Sequence, residues 1–222
     1  MLLLFVGTTR KEAVSKTSRT RSKTRLSRAL GIALTPKAAK YLEKRPYAPG
    51  EHGRTKRKAD SDFAVRLREK QRLRAQYGIR EAQLKKTFEE AKRAPGLTGE
   101  NLVELLEMRL DAIILRAGFA RTIAQSRQLV VHRHILVDGQ RVDRPSFRVK
   151  PGQLVHVHAK SEKTEPFQVA AAGGHVDVLP PLPGYLSVEL EKLHVTLERR
   201  PLRAEVPVTC EVQLVVEYYA AR

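Results

Sequence analysis

Apolar side chains recur at helical spacing in the middle of the chain. Five of them fall three, four or seven residues apart and form one face, which predicts a helix from near Glu100 to its end at Gly118: Leu106, Leu110, Ile113, Ile114 and Ala117. A further helix is predicted from about Thr122 to His132, with Ile123, Leu129 and Val130 as its apolar contacts.

The apolar spacing changes to alternation after residue 134. Ile135 to Val137, the Asp138-Gly139 pair and Arg141-Val142 predict a hairpin, because Asp-Gly suits the positive φ angles of a tight turn. Leu154 to Val157 reads as a further strand. Together with the two preceding helices, these strands predict a helix–helix–small-sheet unit. We expect more strands at Leu186 to Leu190 and at Val195 to Glu198.

The N-terminal half contains helix signals separated by loops. Thr35-Pro36 resembles an N-cap followed by proline at the first helical position, which predicts a short helix over Lys37 to Lys44. Proline and glycine then mark a loop at Arg45 to Arg54. Ser61-Asp62 can cap a helix that ends near Gln76, and Arg80 to Arg93 predicts the next one.

These patterns predict an α+β protein with three parts. Residues 1–34 read as a flexible basic arm, residues 35–107 as a helical N-terminal domain, and residues 108–208 as the helix–helix–small-sheet module with the strands that follow it. Glu211 to Ala220 fits a terminal helix within about 209–222 that packs on the helical domain, although Val215-Val216 fits a strand equally well.

Charge is concentrated in two blocks. The 222-residue chain has a formal net charge of +18, of which residues 1–60 hold 16 Lys/Arg against 4 Asp/Glu. Residues 109–160 hold 10 against 3, whereas residues 161–222 hold 6 against 9. So large an excess repels itself in a compact fold, and a polyanionic partner is the simplest explanation.

The clearest candidate binding feature is a polar stripe on the helix near 122–132. Arg121, Gln125, Gln128 and His132 are spaced four, three and four apart, so they share one helix face. Their side chains can donate to phosphate oxygens or base edges, and five nearby cations add charge: Arg133, Arg141, Arg144, Arg148 and Lys150. A solvated helix face gives the same pattern, but the local excess of positive charge favours contact with nucleic acid.

Other chemistries find little support. His132, His134, His156 and His158 have no carboxylate or cysteine arranged beside them, so RNA-facing or structural histidines are favoured over metal ligands. The single cysteine, Cys210, has no evident activating base. We therefore expect no enzyme activity, cofactor, metal or small-molecule substrate. No run reaches the ~18 apolar residues of a membrane span, and Met1 to Val6 is short for a secretion signal.

The sequence resembles a known family over about residues 25–222. MRLDAIILRAGFARTIAQSRQLVVHRHILVDGQRVDRPSFRVKPG (Met108 to Gly152) is similar to the signature segment of the small-subunit ribosomal protein S-four family. RALGIALTPKAAKYLEKRPYAPGEHG (Arg28 to Gly53), VRLREKQRLRAQYGI (Val65 to Ile79) and the tail from Arg199 resemble the flanking parts of the bacterial members. The module alone indicates RNA, and the flanks indicate the ribosome.

The resemblance implies a structural role in the cytoplasm. Members bind the 5′ domain of 16S ribosomal RNA, help to nucleate subunit assembly, and lie near the messenger RNA entrance beside ribosomal proteins S-five and S-three, where the S-five boundary affects decoding accuracy. The RNA contacts implied in the module are Arg116, Arg121, Thr122, Gln125, Arg127, Gln128, His132 and His134, and those implied in the loop are Pro49, Gly50, His52, Gly53 and Arg54. Basic neighbours complete the expected set: Arg28, Lys37, Lys56, Arg57, Arg109, Arg133, Arg141 and Arg148.

Two departures and two rivals remain. Many relatives have four N-terminal cysteines that bind a metal or cluster, and this chain has none there. Residues 1–24 do not match the usual start, which leaves either an extension or a start assigned too far upstream. The rival functions are an RNA-modifying enzyme that carries the same module, which would need a separate catalytic domain, and a stress-linked RNA binder.

Overall fold

The computed structural model describes residues 22–55 and 61–221. Within them the chain forms ten α-helices and five strands, which we number in chain order. The helices are α1 (Lys23–Leu30), α2 (Pro36–Lys44), α3 (Asp62–Gln76), α4 (Glu81–Arg93), α5 (Thr98–Glu107), α6 (Leu110–Arg116), α7 (Ile123–Val131), α8 (Ala159–Glu162), α9 (Glu165–Ala171) and α10 (Val212–Ala220). The strands are β1 (Ile135–Val137), β2 (Gln140–Arg141), β3 (Leu154–Val157), β4 (Leu186–Glu189) and β5 (His194–Leu197).

The predicted helix starts in the N-terminal half are confirmed. The Thr35 hydroxyl accepts from the amide of Ala38 at the start of α2, and Pro36 occupies the first helical position. The Ser61 hydroxyl does the same for Ala64 at the start of α3. Each cap satisfies an amide that has no partner inside its helix, which is why serine and threonine favour these positions.

The terminal segment forms a helix, so the strand alternative for Val215-Val216 is excluded. α10 packs against α3 and α5. Glu217 accepts from Arg66 at 2.9 Å, and Lys70 Nζ lies 4.6 Å from the centre of the Tyr218 ring. The C-terminal helix therefore packs as part of the N-terminal helical half.

The five strands make one antiparallel sheet in the order β2-β1-β3-β5-β4. The hairpin turn between β1 and β2 is the one predicted, with Asp138 at φ 48° and Gly139 at φ 79°. Val155 and Val157 on β3, like Val195 and Leu197 on β5, are buried on the inner face. Period-two alternation therefore places one apolar face of the sheet toward the helices.

One apolar core joins the two halves. It runs from Leu73 and Leu84 in the helical half through Ile113 and Ile114 in α6 to Val155 in the sheet. The predicted α+β class is confirmed. Because the core is continuous, the helical half and the sheet module are held as one packed body in the described residues.

The structure corrects two boundaries. The predicted helix from Glu100 to Gly118 is broken, because Arg109 has ψ 141° and forms an antiparallel bridge with Arg148. The amide of Leu110 donates to Phe147 O instead of continuing α5. The predicted flexible arm is also wrong for Lys23–Leu30, which form α1 and end at Gly31 with φ 68°. The rest of that arm up to residue 21 lies outside the described residues.

Candidate nucleic-acid interface

The polar stripe lies along α7 and is open to solvent at three of its four positions. Arg121, Gln128 and His132 are exposed, whereas Gln125 is half-buried. The Thr122 hydroxyl accepts from the amide of Gln125, and the Gln125 side chain accepts from the amide of Arg121. Thr122 and Gln125 thus cap α7, a role that the Thr-x-x-Gln spacing signals in sequence.

Two of the arginines expected to contact RNA instead surround a buried carboxylate. Asp111 is fully buried, and Arg109 donates to it through Nε at 2.9 Å and Nη2 at 2.8 Å. Arg127 reaches the same carboxylate at 2.6 Å from the other side. Its second terminal nitrogen donates to the carbonyl of Gly78 at 2.6 Å, so this cluster fastens α6 and α7 to the end of α3.

A second buried carboxylate lies nearby. Glu107 is fully buried and accepts a two-pronged bond from Arg116, at 2.7 and 3.1 Å. It also accepts from the hydroxyls of Tyr77 at 2.6 Å and Tyr185 at 3.0 Å. Burial, with the Glu107 charge beside them, raises the pKa of both tyrosines, so they stay protonated as donors.

We call these two clusters the seam. It consists of Glu107 and Asp111 with Arg109, Arg116, Arg127, Tyr77 and Tyr185. Its guanidinium groups donate to internal carboxylates, so RNA contact by Arg109, Arg116 or Arg127, which stays a prediction, would compete with these ion pairs. Two carboxylates four residues apart, each with arginine nearby in sequence, are the signal that sequence reasoning missed.

Other predicted cations pair with acids on the surface. Arg148 makes a two-pronged bond to Glu90 of α4, with one N–O distance of 2.7 Å, which ties the module to the helical half. Arg133, at φ 64° after α7, lies 3.0 Å from Asp143. Both pairs are exposed, and exposed pairs hold only weakly, so these cations stay available to a stronger anion.

The histidines beside the stripe do not form a metal site. Nδ1 of His134 lies 2.9 Å from the Ser161 hydroxyl, and Nε2 of His158 lies 2.7 Å from a terminal nitrogen of Arg141. Burial, aided by His132 and His158, lowers the pKa of His134. No group of three potential ligands that could hold a metal occurs within the residues that the structure covers.

The predicted loop in the helical half is held by Arg28. This side chain donates to the carbonyls of Tyr47 and Ala48 at 3.1 and 3.2 Å, and its guanidinium lies 4.9 Å from the Tyr47 ring centre. Arg54 lies at the same distance from that ring. A side chain at Gly53 would come within 2.0 Å of Ala48 O, so only glycine fits there.

The outcome for the rest of the loop is mixed. Gly50 has φ 108°, which favours glycine, and His52 and Arg54 are exposed. Lys56 and Arg57 lie outside the described residues. Half-buried Arg28 positions this loop by donating to two carbonyls.

A basic groove brings the two halves together. It has a volume of about 540 Å³ and is lined by α1, the start of α2 and the start of α7. Lys37 and Arg121, both predicted contacts from separate charge blocks, line it together. So do Lys23 and Lys40, which sequence reasoning missed; Lys40 falls three residues after Lys37 on the same helix. We call Lys23, Lys37, Lys40 and Arg121, with Thr35 and Thr122, the groove.

Comparisons with known proteins identify the family. Residues 18–107 match the model of the ribosomal protein S4/S9 N-terminal domain, and residues 108–155 match that of the S4 domain. The small ribosomal subunit protein uS4 of Leifsonia xyli is 83% identical over 205 residues, which are 92% of this chain and 99% of that protein. The chain belongs to the uS4 family. The resemblance of the sequence to small-subunit ribosomal proteins is thereby confirmed.

Other uS4 relatives are matched over nearly their whole length. That of Clavibacter michiganensis is 79% identical over 94% of this chain and 100% of its own length, and that of Micrococcus luteus is 75% identical over 91% and 97%. These relatives are named as ribosomal proteins and not as enzymes, so the chain is non-enzymatic by family. In the described residues, no helix is both long enough and apolar enough to cross a membrane.

Proposed function

We propose that this chain is a structural component of the small ribosomal subunit and binds the 5′ domain of 16S ribosomal RNA across its groove. The observation that supports this most is that Lys37 and Arg121, which are distant in sequence, line one cavity with Lys23 and Lys40. Four cations facing a shared space neutralise phosphates from strands that meet there, as at a helix junction.

The stripe on α7 extends this surface. Gln128 and His132 are exposed about two and three turns beyond Arg121 and can donate to phosphate, ribose or base edges. Arg133, His134 and Arg141 continue the basic character at the edge of the sheet, and His52 and Arg54 present the loop of the helical half. The seam holds these two surfaces in a fixed relation, so RNA meets a preformed site.

The finer parts of the proposal rest on family membership. By that analogy the protein nucleates assembly of the subunit, affects translational accuracy together with S-five, contacts S-three, and lies near messenger RNA at its entrance in a cytoplasmic ribosome. The relatives are named as proteins of the small ribosomal subunit, and these roles belong to that subunit.

Fractionation of a cell lysate on a sucrose gradient tests the proposal. Quantitative mass spectrometry should find one copy of this chain per small subunit and almost none with large subunits. A stress-linked RNA binder would instead sediment with free RNA or the large subunit at a low copy number, and that result would contradict the proposal.

Binding to RNA fragments provides the second test. A transcript of the 5′ domain should bind far more tightly than a large-subunit fragment of equal length. If ~6–10 phosphates are neutralised, affinity should fall by ~10³–10⁵ between 50 and 200 mM salt. Equal affinity for both transcripts would show that the binding is non-specific and electrostatic, and it would contradict the proposal.

A further inference from the structure

An exposed apolar surface lies on α9 and on the segment that joins α9 to β4. Val169, Val176, Val178 and Leu182 are 40%, 62%, 39% and 52% exposed. We call these four residues the apolar patch. They lie within 14 positions of one another, and Val176 and Leu182 line one pocket, unlike apolar residues that are exposed singly. A clustered apolar surface of this kind marks a site of interaction.

The pocket beside the patch contains a buried polar group without a partner. It has a volume of about 150 Å³, and its lining includes Ala170, His175, Leu179, Pro181 and Leu190. His175 is only 7% exposed, and neither of its ring nitrogens has a hydrogen-bond partner among residues 22–55 and 61–221. Leaving such a group unpaired is unfavourable, so a ligand that supplies a donor or acceptor here is stabilised by pairing with it.

The chain holds this surface in an ordered turn. Gly173 adopts φ 73°, and a side chain at Gly174 would come within 2.8 Å of Val169 Cγ1, so the glycine pair allows the turn after α9. The amide of Val176 then donates to Gly173 O at 3.0 Å, and that of Leu179 to His175 O at 3.1 Å. These bonds place His175 inside the pocket and Val176 at its rim.

The charge of the segment that carries the patch favours protein over RNA as the occupant, since Arg116, which also lines the pocket, is already paired with Glu107. Residues 161–191 contain one lysine against five Asp/Glu, a net charge of −4 in a chain of +18. The acids are Glu162, Glu165, Asp177, Glu189 and Glu191. An acidic segment repels phosphate and attracts lysine and arginine. An apolar centre with a polar rim is typical of a protein–protein interface.

We propose that the apolar patch and its pocket bind a basic polypeptide, with one apolar side chain of the partner in the pocket and a polar group of the partner against His175. Val178 of the patch also lines a pocket with Thr35, Arg121 and Thr122 of the groove, so the proposed protein site adjoins the proposed RNA site. The partner segment should carry Lys or Arg residues on either side of the aliphatic or aromatic side chain that enters the pocket.

Site-specific photo-crosslinking tests the proposal. A p-benzoylphenylalanine at position 176 is compared with one at position 97, since Leu97 is also an exposed apolar residue but lies away from the patch. The experiment uses assembled small subunits and thus rests on the proposed function. Recovery of both labelled chains in subunits tests that function separately, before any light is applied.

The expected result is a cross-link from position 176, but not from 97, to a defined protein segment rich in Lys or Arg. Cross-links from 176 to RNA, or none above the yield at 97, would overturn the proposal. As a second check, Leu182→Asp should lower the yield from position 176 at least tenfold. Leu202→Asp, at a residue of similar exposure outside the patch, should leave it unchanged.

Discussion

The seam and the groove contain the same kinds of residue and use them in opposite ways. Arg109 and Arg116 belong to the same basic block as Arg121, yet the first two face buried carboxylates and the third lines an open cavity. The seam stabilises the fold by satisfying charge inside the protein, whereas the groove leaves charge unsatisfied for a partner. Net charge in a segment therefore overstates the number of cations available to RNA.

Removal of the seam carboxylate Asp111 should give the largest effect. Asp111→Ala leaves Arg109 buried without its partner, and breaking a buried pair costs about 3–5 kcal/mol. Urea unfolding followed by circular dichroism measures this change. Asp143→Ala, which removes the partner of exposed Arg133, serves as the control and should cost about 0–1 kcal/mol. Equal losses in both variants would contradict the distinction between buried and surface pairs.

Loss of one seam hydroxyl should give an intermediate effect. Tyr185→Phe removes one donor to the ionised Glu107 while keeping the ring, which should cost about 1.5–3 kcal/mol in the same assay. RNA affinity below the unfolding transition should stay the same, since the hydroxyl is buried. Tyr41→Phe, at an exposed ring, is the matched control and should change neither quantity.

A smaller effect is expected from His134 at low pH. Its pKa is lowered in the folded state by burial and by two neighbouring histidines, so the unfolded chain binds the proton more tightly. The stability that His134 contributes is therefore present above the unfolded pKa of ~6.5 and is lost as the pH falls through the lower folded value. His134→Gln should flatten the fall in unfolding free energy between pH 7.5 and 5. A profile parallel to that of the unmodified protein would argue against the shift.

The least change is expected at Cys210. Burial raises the pKa of its thiol to about 12, and the sulfur lies 3.5 Å from Glu69 O. Alkylation by iodoacetamide at pH 8 should therefore be much slower in the folded protein than in urea, because the thiolate is the reactive form. Comparable rates in the two conditions would show that the thiol is accessible and ionised.

The sequence predicted elements better than it predicted which way side chains face. Caps such as Thr35 and turn pairs such as Asp138-Gly139 act locally, so their positions can be read from the chain. The break at Arg109 could not, because it depends on a bridge to Arg148, 39 positions later. The inward direction of Arg127 likewise depends on Asp111 and on carbonyls at the end of α3.

The same reasoning explains the groove. The stripe was visible as a period on α7, and Arg121, Gln128 and His132 are exposed as that period implies. The sequence predicts a flexible arm at Lys23, because a short basic segment without apolar spacing gives no signal for the helix that Lys23 begins. Only the packing of α1 and α2 beside the start of α7 brings Lys23 to Arg121.

The salt dependence of RNA binding tests the central claim most directly. We predict that Lys37→Ala/Arg121→Ala lowers affinity for the 5′-domain transcript and makes the slope of log K against log salt less negative by ~1.4–1.8, which corresponds to two phosphate contacts. The control Lys163→Ala/Lys192→Ala removes two exposed lysines, one within the acidic stretch 161–191 and one directly after it, and should leave the slope unchanged. An unchanged slope in the groove variant, with an intact unfolding transition, would contradict the account.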